Sequence, residues 1–377
     1  MRIGVSTVGA TATDISVWSG TPASFLVALK RLHSDVVALD PPAPVTYRGA
    51  QLLTSFSARA GRRWHWETSL PVLRRFTREM QSMAEAKSVD VVVSMGWLPF
   101  LPQRSATPPT IYWGDATLSQ KINSYPYWSS LNEVRRKRAI DVEMRSLIGL
   151  AAVAMPSAWA CGELVAGYGL KSSQVHRIPF GSNVSDPGAA DRVLSNDGLR
   201  VLTVGVHWHR KGMDRAVLAI DRLRSRGIEA QLDVVGVEAP DKSWMRPYVR
   251  YHGRLSKGDP HQAAELNRLY REAHVFLLAS RHDPFPMVLA EAGAHSLPVV
   301  ATDVGGIRDR VDRGGMIVSE HADPEELSDA LAAVIASEGR YGALSRSSRR
   351  DFEVNSNWKR SAALMLELCS SVERVRR

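Results

Sequence analysis

The chain has 377 residues, of which 44% are hydrophobic and 23% are charged, which excludes a mainly disordered, collagen-like or coiled-coil protein. This length suggests about two or three domains. An excess of 48 Lys and Arg over 39 Asp and Glu leaves a formal charge of +9, which favours an anionic partner such as a nucleotide, a phosphorylated lipid, a membrane surface or nucleic acid. Two cysteines are too few for a disulfide framework, and neither a secretory leader nor a membrane span is evident, so we expect a cytoplasmic protein.

Short apolar runs, each followed by a longer amphipathic segment, occur in two series. The first series is residues 3–6, 36–39, 89–94, 110–113, 151–155 and 175–178, and the second is residues 201–205, 232–236, 249–253, 275–279, 299–302 and 316–318. Runs that are apolar throughout indicate parallel strands buried on both faces, and their alternation with helices indicates βαβ units. The sequence therefore predicts an α/β protein with two Rossmann-like, doubly wound domains that face a central cleft.

The segment at residues 181–188 is rich in Gly, Ser, Asn and Pro and is the best candidate for the linker between the two series. We therefore place the first domain at residues 1–183 and the second at residues 184–356. Residues 357–377 have a helical pattern of apolar residues and a basic end.

Several common catalytic motifs are missing from the sequence. It has no GxGxxG after the first strand, no GxxxxGK[ST] and no GxSxG, which weighs against a dinucleotide dehydrogenase, a P-loop NTPase and a serine hydrolase. It also has no Asp-x-Asp, and the pair His207 and His209 has no acidic or Cys ligand beside it. We therefore expect no metal site.

The first notable segment of the second domain is a strand that ends in a glycine loop with two adjacent cations, Gly205 followed by Arg210-Lys211-Gly212. A helix begins just after Gly212, and cations at the carboxyl end of a parallel strand, beside a helix N-terminus, form an anion site. The alternative is a solvated Arg-Lys turn.

The second segment is a buried strand, a Pro-flanked turn and a helix, in which Pro286 is placed for the first helical turn. We expect the free amides near Met287 and Val288 to point at a diphosphate and Asp283 and Glu291 to accept hydrogen bonds from hydroxyls. The alternative is that Asp283 caps the helix and Glu291 lies on the surface. However, an unpaired carboxylate in an otherwise apolar helix would be costly.

The third segment is the strand at residues 299–302, which is followed by Gly305 and Gly306. Paired glycines at the edge of a sheet let the backbone approach a ligand closely. On its own this pair is weak evidence for a site.

Together these segments resemble the retaining glycosyltransferases of family 4 (glycosyl transferases group 1), which have two Rossmann-like domains in the GT-B fold. The residues that carry the resemblance are Gly205, Arg210-Lys211-Gly212, Asp283, Glu291-Ala292 and residues 298–306, with further matches at residues 18–22, 112–117, 157–160 and 178–183. The resemblance covers most of the chain. It also implies that the helix at residues 357–377 crosses back to the first domain.

The resemblance implies a role for each matching residue. Arg210 and Lys211 would neutralise the diphosphate of a nucleotide-sugar donor, and these two with Asp283 form the expected catalytic set. Asp283 would contact the transferred sugar, and Glu291 would hold the ribose. The loop at residues 252–255, which contains Arg254, would lie against the base, and Gly20 would approach the phosphates from the first domain. The expected donor-binding residues are Gly20, Gly205, Arg210, Lys211, Arg254, Asp283, Phe285, Pro286, Met287, Val288 and Glu291.

The chain departs from the family pattern at four places. Val206 stands where many members have a phosphate-binding Arg, Asp283 replaces the usual Glu, and Pro286 replaces the commoner Gly. Gly114-Asp115 occupies the region where many members have His-Asp, so Asp115 is the candidate for the acceptor side.

The resemblance implies transfer of a sugar from a nucleoside diphosphate sugar to a hydroxyl of a glycan, lipid-linked or small-molecule acceptor, with the anomeric configuration retained and no metal or other cofactor. Two alternatives stay open: an epimerase with the same two-domain fold, and a nucleotide-sugar-binding protein without catalytic activity. We expect no binding of nucleic acid, because no known reading motif accompanies the positive charge.

The segment at residues 59–83 combines Arg62, Arg63, Arg74, Arg75 and Arg78 with apolar residues at helical spacing. One interpretation is an interfacial helix that binds an anionic membrane surface, which would place the protein peripherally at the inner face of the membrane. The other, which we favour slightly, is an ordinary helix whose apolar stripe faces the core.

Overall fold

The computed structural model describes residues 1–7, 11–39, 44–59, 65–96, 98–100, 108–129, 131–194, 198–311 and 314–376. The chain divides into two compact units. The first comprises Met1–Pro179 and Trp358–Arg377, and the second comprises Phe180–Asn357. The sequence prediction placed these junctions after residues 183 and 356.

The first unit contains a six-stranded parallel sheet in the order β2-β1-β3-β4-β5-β6. Its elements are β1 (Ile3–Thr7), α1 (Thr21–Leu32), β2 (Val36–Leu39), α2 (Pro44–Arg59), α3 (Leu70–Ala86), β3 (Val91–Met95), β4 (Thr110–Trp113), α4 (Leu118–Lys121), α5 (Pro126–Ser129), α6 (Glu133–Ile148), β5 (Ala152–Met155), α7 (Ala158–Ala166) and β6 (Val175–Arg177).

The second unit contains a second six-stranded parallel sheet, in the order β9-β8-β7-β10-β11-β12. Its elements are β7 (Leu199–Val204), α8 (Met213–Ser225), β8 (Ala230–Val235), β9 (Val249–Tyr251), α9 (Pro260–Glu272), β10 (Val275–Leu278), α10 (Met287–Ala294), β11 (Val299–Thr302), α11 (Arg308–Val311), β12 (Gly315–Val318), α12 (Pro324–Val334) and α13 (Glu338–Asn355). The last helix, α14 (Trp358–Arg376), belongs to the first unit.

Each of the apolar runs that predicted a strand overlaps one, and both sheets are parallel, which confirms the doubly wound α/β class. Strand β10 illustrates why. Its residues Val275 and Leu277 belong to one buried apolar cluster, and Phe276 and Leu278 belong to another. Successive side chains of a strand point to opposite faces, so the sheet is covered on both faces at β10 and this strand shows no polar alternation.

Helix α3 shows which interpretation of residues 59–83 fits. Its side chains Leu73, Phe76 and Met80 are buried, and the last two join a core cluster beside β2 and β3, whereas Arg74, Arg75 and Arg78 are exposed. The apolar stripe therefore faces the core, as in an ordinary amphipathic helix. Residues 60–64 of the segment, which include Arg62 and Arg63, lie outside the described residues. Across the described ranges, no helix has both the length and the apolar character that crossing a membrane requires.

Helix α14 packs against α1 of the first unit. Its buried residues Ala362, Met365, Leu368 and Cys369 follow helical spacing. At its start, the Trp358 ring lies 6.2 Å from Trp113 and 6.3 Å from Phe25, and Ser361 donates a hydrogen bond to the Pro179 carbonyl at 2.6 Å. The chain's last helix is thus part of the first unit's core.

Candidate functional site

The second sheet changes direction between two of its strands. Strand β7 begins this unit's sheet, and the chain builds β8 and β9 on one side of it and then returns to add β10 on the other. Ligands of open parallel sheets bind at the carboxyl ends of the strands at such a reversal point, where the two following loops separate. The loops after β7 and β10 are those that carry Arg210, Lys211 and Asp283.

Glycines let the loops at this edge approach each other at backbone distance. Gly212 has a φ of +67°, and a Cβ built on it would lie 1.8 Å from the carbonyl oxygen of Ala279. A Cβ on Gly305 would lie 2.1 Å from the carbonyl oxygen of Asp283. A side chain at either position would force the loops apart, so glycine is required by space as well as by conformation.

Hydrogen bonds hold the loop after β7 to the loop after β10. Arg210 donates from Nη1 to the His282 carbonyl at 3.1 Å and accepts at its own carbonyl from the Arg281 amide at 2.9 Å. Arg281 in turn forms two hydrogen bonds with Asp214, at 2.8 and 2.6 Å. The two cation-bearing loops therefore form one fixed surface rather than a solvated turn.

Lys211 and Asp283 form a buried ion pair at the centre of this surface. Lys211 is 8% exposed and Asp283 is 5% exposed, and the Lys211 Nζ donates to Asp283 Oδ2. Asp283 does not cap the following helix, because the N-cap residue of α10 is Pro286. Two alternatives left by the sequence, a solvated Lys211 and a capping Asp283, are therefore wrong.

Glu291 is completely buried in α10 and has two partners. Lys257 Nζ donates to its Oε1, and the Tyr270 hydroxyl donates to its Oε2 at 3.1 Å. The alternative of a surface Glu291 is wrong, and the cost of burying the carboxylate is offset by these partners. Burial and the Glu291 charge raise the pKa of Tyr270, which keeps this hydroxyl a donor.

Helix α10 begins at Met287, next to the buried ion pair along the chain. The first amides of a helix have no acceptor within the helix and carry its positive dipole end, so those of Met287 and Val288 suit an anion. Pro286 is the N-cap residue, with φ −69° and ψ 120°, and not part of the first turn as the sequence suggested. Its extended ψ turns the chain into the helix.

Arg310 contacts the residues at the start of α10. The sequence did not mark it as part of a site. Arg310 is 4% exposed, its guanidinium carbon lies 3.9 Å from the Phe285 ring centroid, and its Nη2 is 3.8 Å from Met287 Sδ. Within the described part of the chain, its Nε and Nη1 have no hydrogen-bond partner. Burial lowers the pKa of Arg310 to about 9, against the attraction of Asp351 and Glu291.

The loop after β9 adds a further polar group. His252 Nε2 lies 2.7 Å from Asp233 Oδ1, the Gly253 carbonyl accepts from the Gly236 amide at 2.7 Å, and Arg254 is exposed. After β7, burial and the charges of Arg210 and Lys211 lower the pKa of His207, as expected beside a cluster of cations. His207 and His209 belong to no group of three or more possible metal ligands among the described residues.

Gly20 and Asp115 lie in the first unit. Gly20 is the last of three consecutive residues with positive φ, after Trp18 at +46° and Ser19 at +57°, and it is the N-cap residue of α1. Left-handed backbone at non-glycine residues is strained, and such strain concentrates at functional sites. Asp115 pairs with Lys121, with 3.1 Å between Oδ1 and Nζ, so its charge is already matched.

The structure thus brings Gly205, Arg210, Lys211 and Asp283 together at one edge of the second sheet, with Phe285 to Glu291 following in the adjoining loop and helix. Sequence reasoning missed Lys257, Tyr270 and Arg310. Each is far in sequence from the residue it contacts, and none belongs to a motif. Arg310 stands among the charged residues at 308–313, so nothing in the sequence marked it as a buried residue.

Comparison with known protein families gives a direct match in the second unit. A family model described as glycosyl transferases group 1 matches residues 198–337, which contain both cation-bearing loops and α10. The chain is 31% identical over 238 residues to D-inositol 3-phosphate glycosyltransferase of Xylanimonas cellulosilytica, a match that covers 57% of this chain and 55% of the relative. It is 29% identical over 210 residues to mannosylfructose-phosphate synthase of Agrobacterium fabrum, covering 48% and 44%. The chain thus spans about half the length of the curated relatives it matches.

Solved structures extend the similarity to both units. The chain superposes on sucrose-phosphate synthase from Thermosynechococcus elongatus with a TM-score of 0.71 at 17% identity, over 99% of this chain and 100% of the other. At this identity the match concerns the fold, which is that of the GT-B glycosyltransferases.

Proposed function

We propose that this chain, which matches the glycosyl transferases of group 1 over residues 198–337 and has the GT-B fold, transfers a glycosyl group from a nucleoside diphosphate sugar to an acceptor hydroxyl, with retention of the anomeric configuration. The observation that carries this proposal is the buried pair of Lys211 and Asp283 at the reversal point of the second sheet, beside the N-terminus of α10.

The diphosphate of the donor is the natural ligand of the cationic part of this site. Lys211 and Arg210 supply positive charge, and the amides of Met287 and Val288 supply directed donors at the positive end of a helix. These groups are positively charged or polarised without a bound ion, so we propose that the transfer requires no metal. A diphosphate oxygen would take over the role that Asp283 plays for Lys211.

The two carboxylates have separate tasks in this proposal. Asp283, once its partner Lys211 binds phosphate, accepts hydrogen bonds from hydroxyls of the transferred sugar. Glu291 accepts from the ribose hydroxyls, and Lys257 and Tyr270 hold its carboxylate in place. Loop residue Arg254 is exposed and lies on the side we assign to the base.

The reaction breaks the bond between the anomeric carbon and the diphosphate oxygen and forms a bond from the same carbon to the acceptor oxygen on the same face. The acceptor proton passes to the departing phosphate, so no side-chain base is needed. Negative charge grows on the leaving diphosphate in the transition state. Preorganised hydrogen-bond donors stabilise this charge more strongly in the transition state than in the ground state. Loss of one such donor typically lowers turnover about 10²–10³-fold.

The first test is thermal unfolding in the presence of UDP, GDP, ADP and dTDP, each with and without EDTA. A ligand at about 100 times its dissociation constant adds roughly 2.7 kcal/mol to the free energy of unfolding. We expect one nucleotide to stabilise the protein equally with and without EDTA.

Lys211→Ala should abolish this stabilisation because it removes the buried cation. Lys242→Ala is the matched control, since Lys242 is an exposed lysine of the same unit, and it should leave the stabilisation intact. If no nucleoside diphosphate stabilises the wild-type protein, or if Lys211→Ala retains the full effect, the donor-site proposal is wrong.

A further inference from the structure

The first unit contains a large cavity to which the donor site contributes no residue. Its volume is about 840 Å³, within the roughly 300–1,000 Å³ of typical small-molecule pockets. Its lining includes Gly96, directly after β3, and Tyr112, near the end of β4, and the carboxyl ends of strands are the edge at which parallel sheets bind ligands. The residues that line it are Gln51, Thr54, Ser55, Trp66, Glu67, Thr68, Leu73, Gly96, Leu98, Tyr112, Leu118, Lys121, Tyr127, Trp128, Ala139 and Glu143.

Two carboxyl groups lie in the wall of this cavity. Both oxygens of Glu67 accept from the Tyr127 hydroxyl, at 2.7 and 2.9 Å. Oε2 of the buried Glu143 accepts from the Leu118 amide at 2.7 Å and from the Tyr168 hydroxyl. In both residues burial raises the pKa, and the hydrogen bonds that the carboxyl accepts oppose that effect. The remaining lone pairs of these oxygens suit donors on a ligand.

Positive charge in the same wall is already neutralised. Lys121 is the one cation among the described lining residues, and its Nζ lies 3.1 Å from Asp115 Oδ1. Burial alone would lower the pKa of Lys121, but Asp115, Tyr112 and Glu143 raise it, so the ammonium is held by its anionic neighbours. A phosphate entering this cavity would meet two carboxyl groups and a lysine with its own counterion. Like charges brought together in this way strongly disfavour binding.

The lining of the cavity also contains four aromatic rings. Trp66, Tyr112, Tyr127 and Trp128 line the cavity. The Trp128 ring stacks on His65 with centroids 4.9 Å apart and meets Tyr127 edge-on at 4.8 Å, so these rings are fixed before a ligand arrives. Rigid aromatic rings give apolar contact area, and their polar ends accept or donate hydrogen bonds. The C–H face of a sugar or cyclitol ring offers the matching surface.

We propose that this cavity is the acceptor site and that it selects an uncharged, hydroxyl-rich ring, a glycosyl or polyol unit, over a phosphate ester. This assignment rests on the proposed glycosyl transfer. The hydroxyls of the ring donate to Glu67 and Glu143, and its apolar face packs on the aromatic wall. The proposed acceptor therefore differs in charge from the inositol phosphate in the name of one relative.

Binding by saturation-transfer NMR and by tryptophan fluorescence tests this inference without any transfer reaction. The probes are methyl α-D-glucopyranoside and myo-inositol as neutral rings, glucose 6-phosphate and inositol 1-phosphate as anions, and glucosamine as a cation. Trp66 and Trp128 lie in the cavity wall and report on its occupancy. We expect a neutral ring to bind at least about tenfold more tightly than its phosphate ester.

Glu67→Gln keeps the shape of the side chain and an oxygen for the Tyr127 hydroxyl but removes the charge. It should weaken neutral-ring binding about tenfold and reduce the discrimination against the phosphate ester. Glu85→Gln is the matched control, since Glu85 is an exposed residue of α3, and it should change neither property.

Tighter binding of a phosphate ester or of glucosamine than of the neutral rings would overturn the proposal, as would a Glu67→Gln variant that binds all probes like the wild type. Absence of binding by every neutral ring would overturn it as well. The nucleotide-dependent thermal shift reports separately on the donor site, so a cavity that binds rings in a protein that binds no nucleoside diphosphate would count against the proposed function and not against the selectivity of the cavity.

Discussion

The loops of the proposed donor site in the second unit and the cavity of the first unit are built on the same kind of sheet edge but by different means. The donor loops are joined at backbone distance by Gly212 and Gly305, and their charges form the buried pair of Lys211 and Asp283. The cavity is formed by residues from five separate helices, the turn at residues 66–68 and two strand ends, and its charges lie in its wall. In the proposed reaction the diphosphate is the constant part of the donor, whereas the acceptor is the variable substrate. A backbone-built site suits the first and a side-chain-built site suits the second.

Gly212→Ala should produce the largest effect of the variants that test this contrast. The new Cβ would lie 1.8 Å from the Ala279 carbonyl in a backbone with φ of +67°, so the two loops must move apart. We expect a loss of about 3–5 kcal/mol in the free energy of unfolding and loss of nucleotide binding.

Gly162→Ala in α7 of the first unit is the control, because a Cβ there meets nothing within 4 Å. It should stabilise the protein by up to about 1 kcal/mol. Denaturant unfolding of both variants measures the difference. Equal stability of the two would show that the donor loops tolerate a side chain at their closest contact.

Arg310→Met should stabilise the folded protein and weaken nucleotide binding, and both effects should be smaller than those of Gly212→Ala. Removing a buried guanidinium with two unpartnered nitrogens in the described structure should raise the free energy of unfolding by about 1–4 kcal/mol. The same change removes positive charge beneath Phe285 and Met287, so nucleotide affinity should fall about tenfold.

The exposed Arg340, whose Nη2 lies 3.6 Å from Met316 Sδ, provides the matched substitution Arg340→Met. That variant should change neither quantity. Calorimetric unfolding combined with nucleotide titration checks the pair, and a drop in stability for Arg310→Met with unaltered affinity would mean that Arg310 serves the fold alone.

Much of the second unit's candidate site was open to prediction from the sequence because glycines, cations and carboxylates there occur at fixed spacing after apolar strands. Lys257 and Tyr270 were not, because they reach Glu291 from a loop and a helix that only the tertiary fold brings near it. The cavity of the first unit is likewise formed by residues that are distant in the sequence. Glu67 and Tyr127 are 60 residues apart, and neither lies in a recognisable motif. The strands of both sheets were predictable because members such as β5 and β10 are buried on two faces and apolar along their whole length.

Glu143→Gln should give the smallest effect, visible as a change in the pH dependence of stability. Burial raises the pKa of Glu143 in the folded protein above its ordinary value of 4.5, so the folded state binds more protons than the unfolded state between these two pKa values. The free energy of unfolding therefore falls as the pH rises through this window. Glu143→Gln removes that contribution and should lose less stability than the wild type as the pH rises above 4.5.

Thermal melts across this pH range, with Glu85→Gln as the exposed control, measure the effect. Identical pH profiles for Glu143→Gln and the wild type would contradict a raised pKa of Glu143.

Coupling between donor cleavage and an acceptor tests the central claim, glycosyl transfer, most directly. The measurement is the rate at which the nucleoside diphosphate is released from its sugar nucleotide, with and without a neutral-ring acceptor, together with the NMR coupling constant of the anomeric proton in the product. The account predicts that the acceptor accelerates release, that the product keeps the anomeric configuration of the donor, and that Lys211→Ala lowers the rate about 10²–10³-fold. Release at the same rate whatever acceptor is added, or a product of inverted configuration, would contradict it.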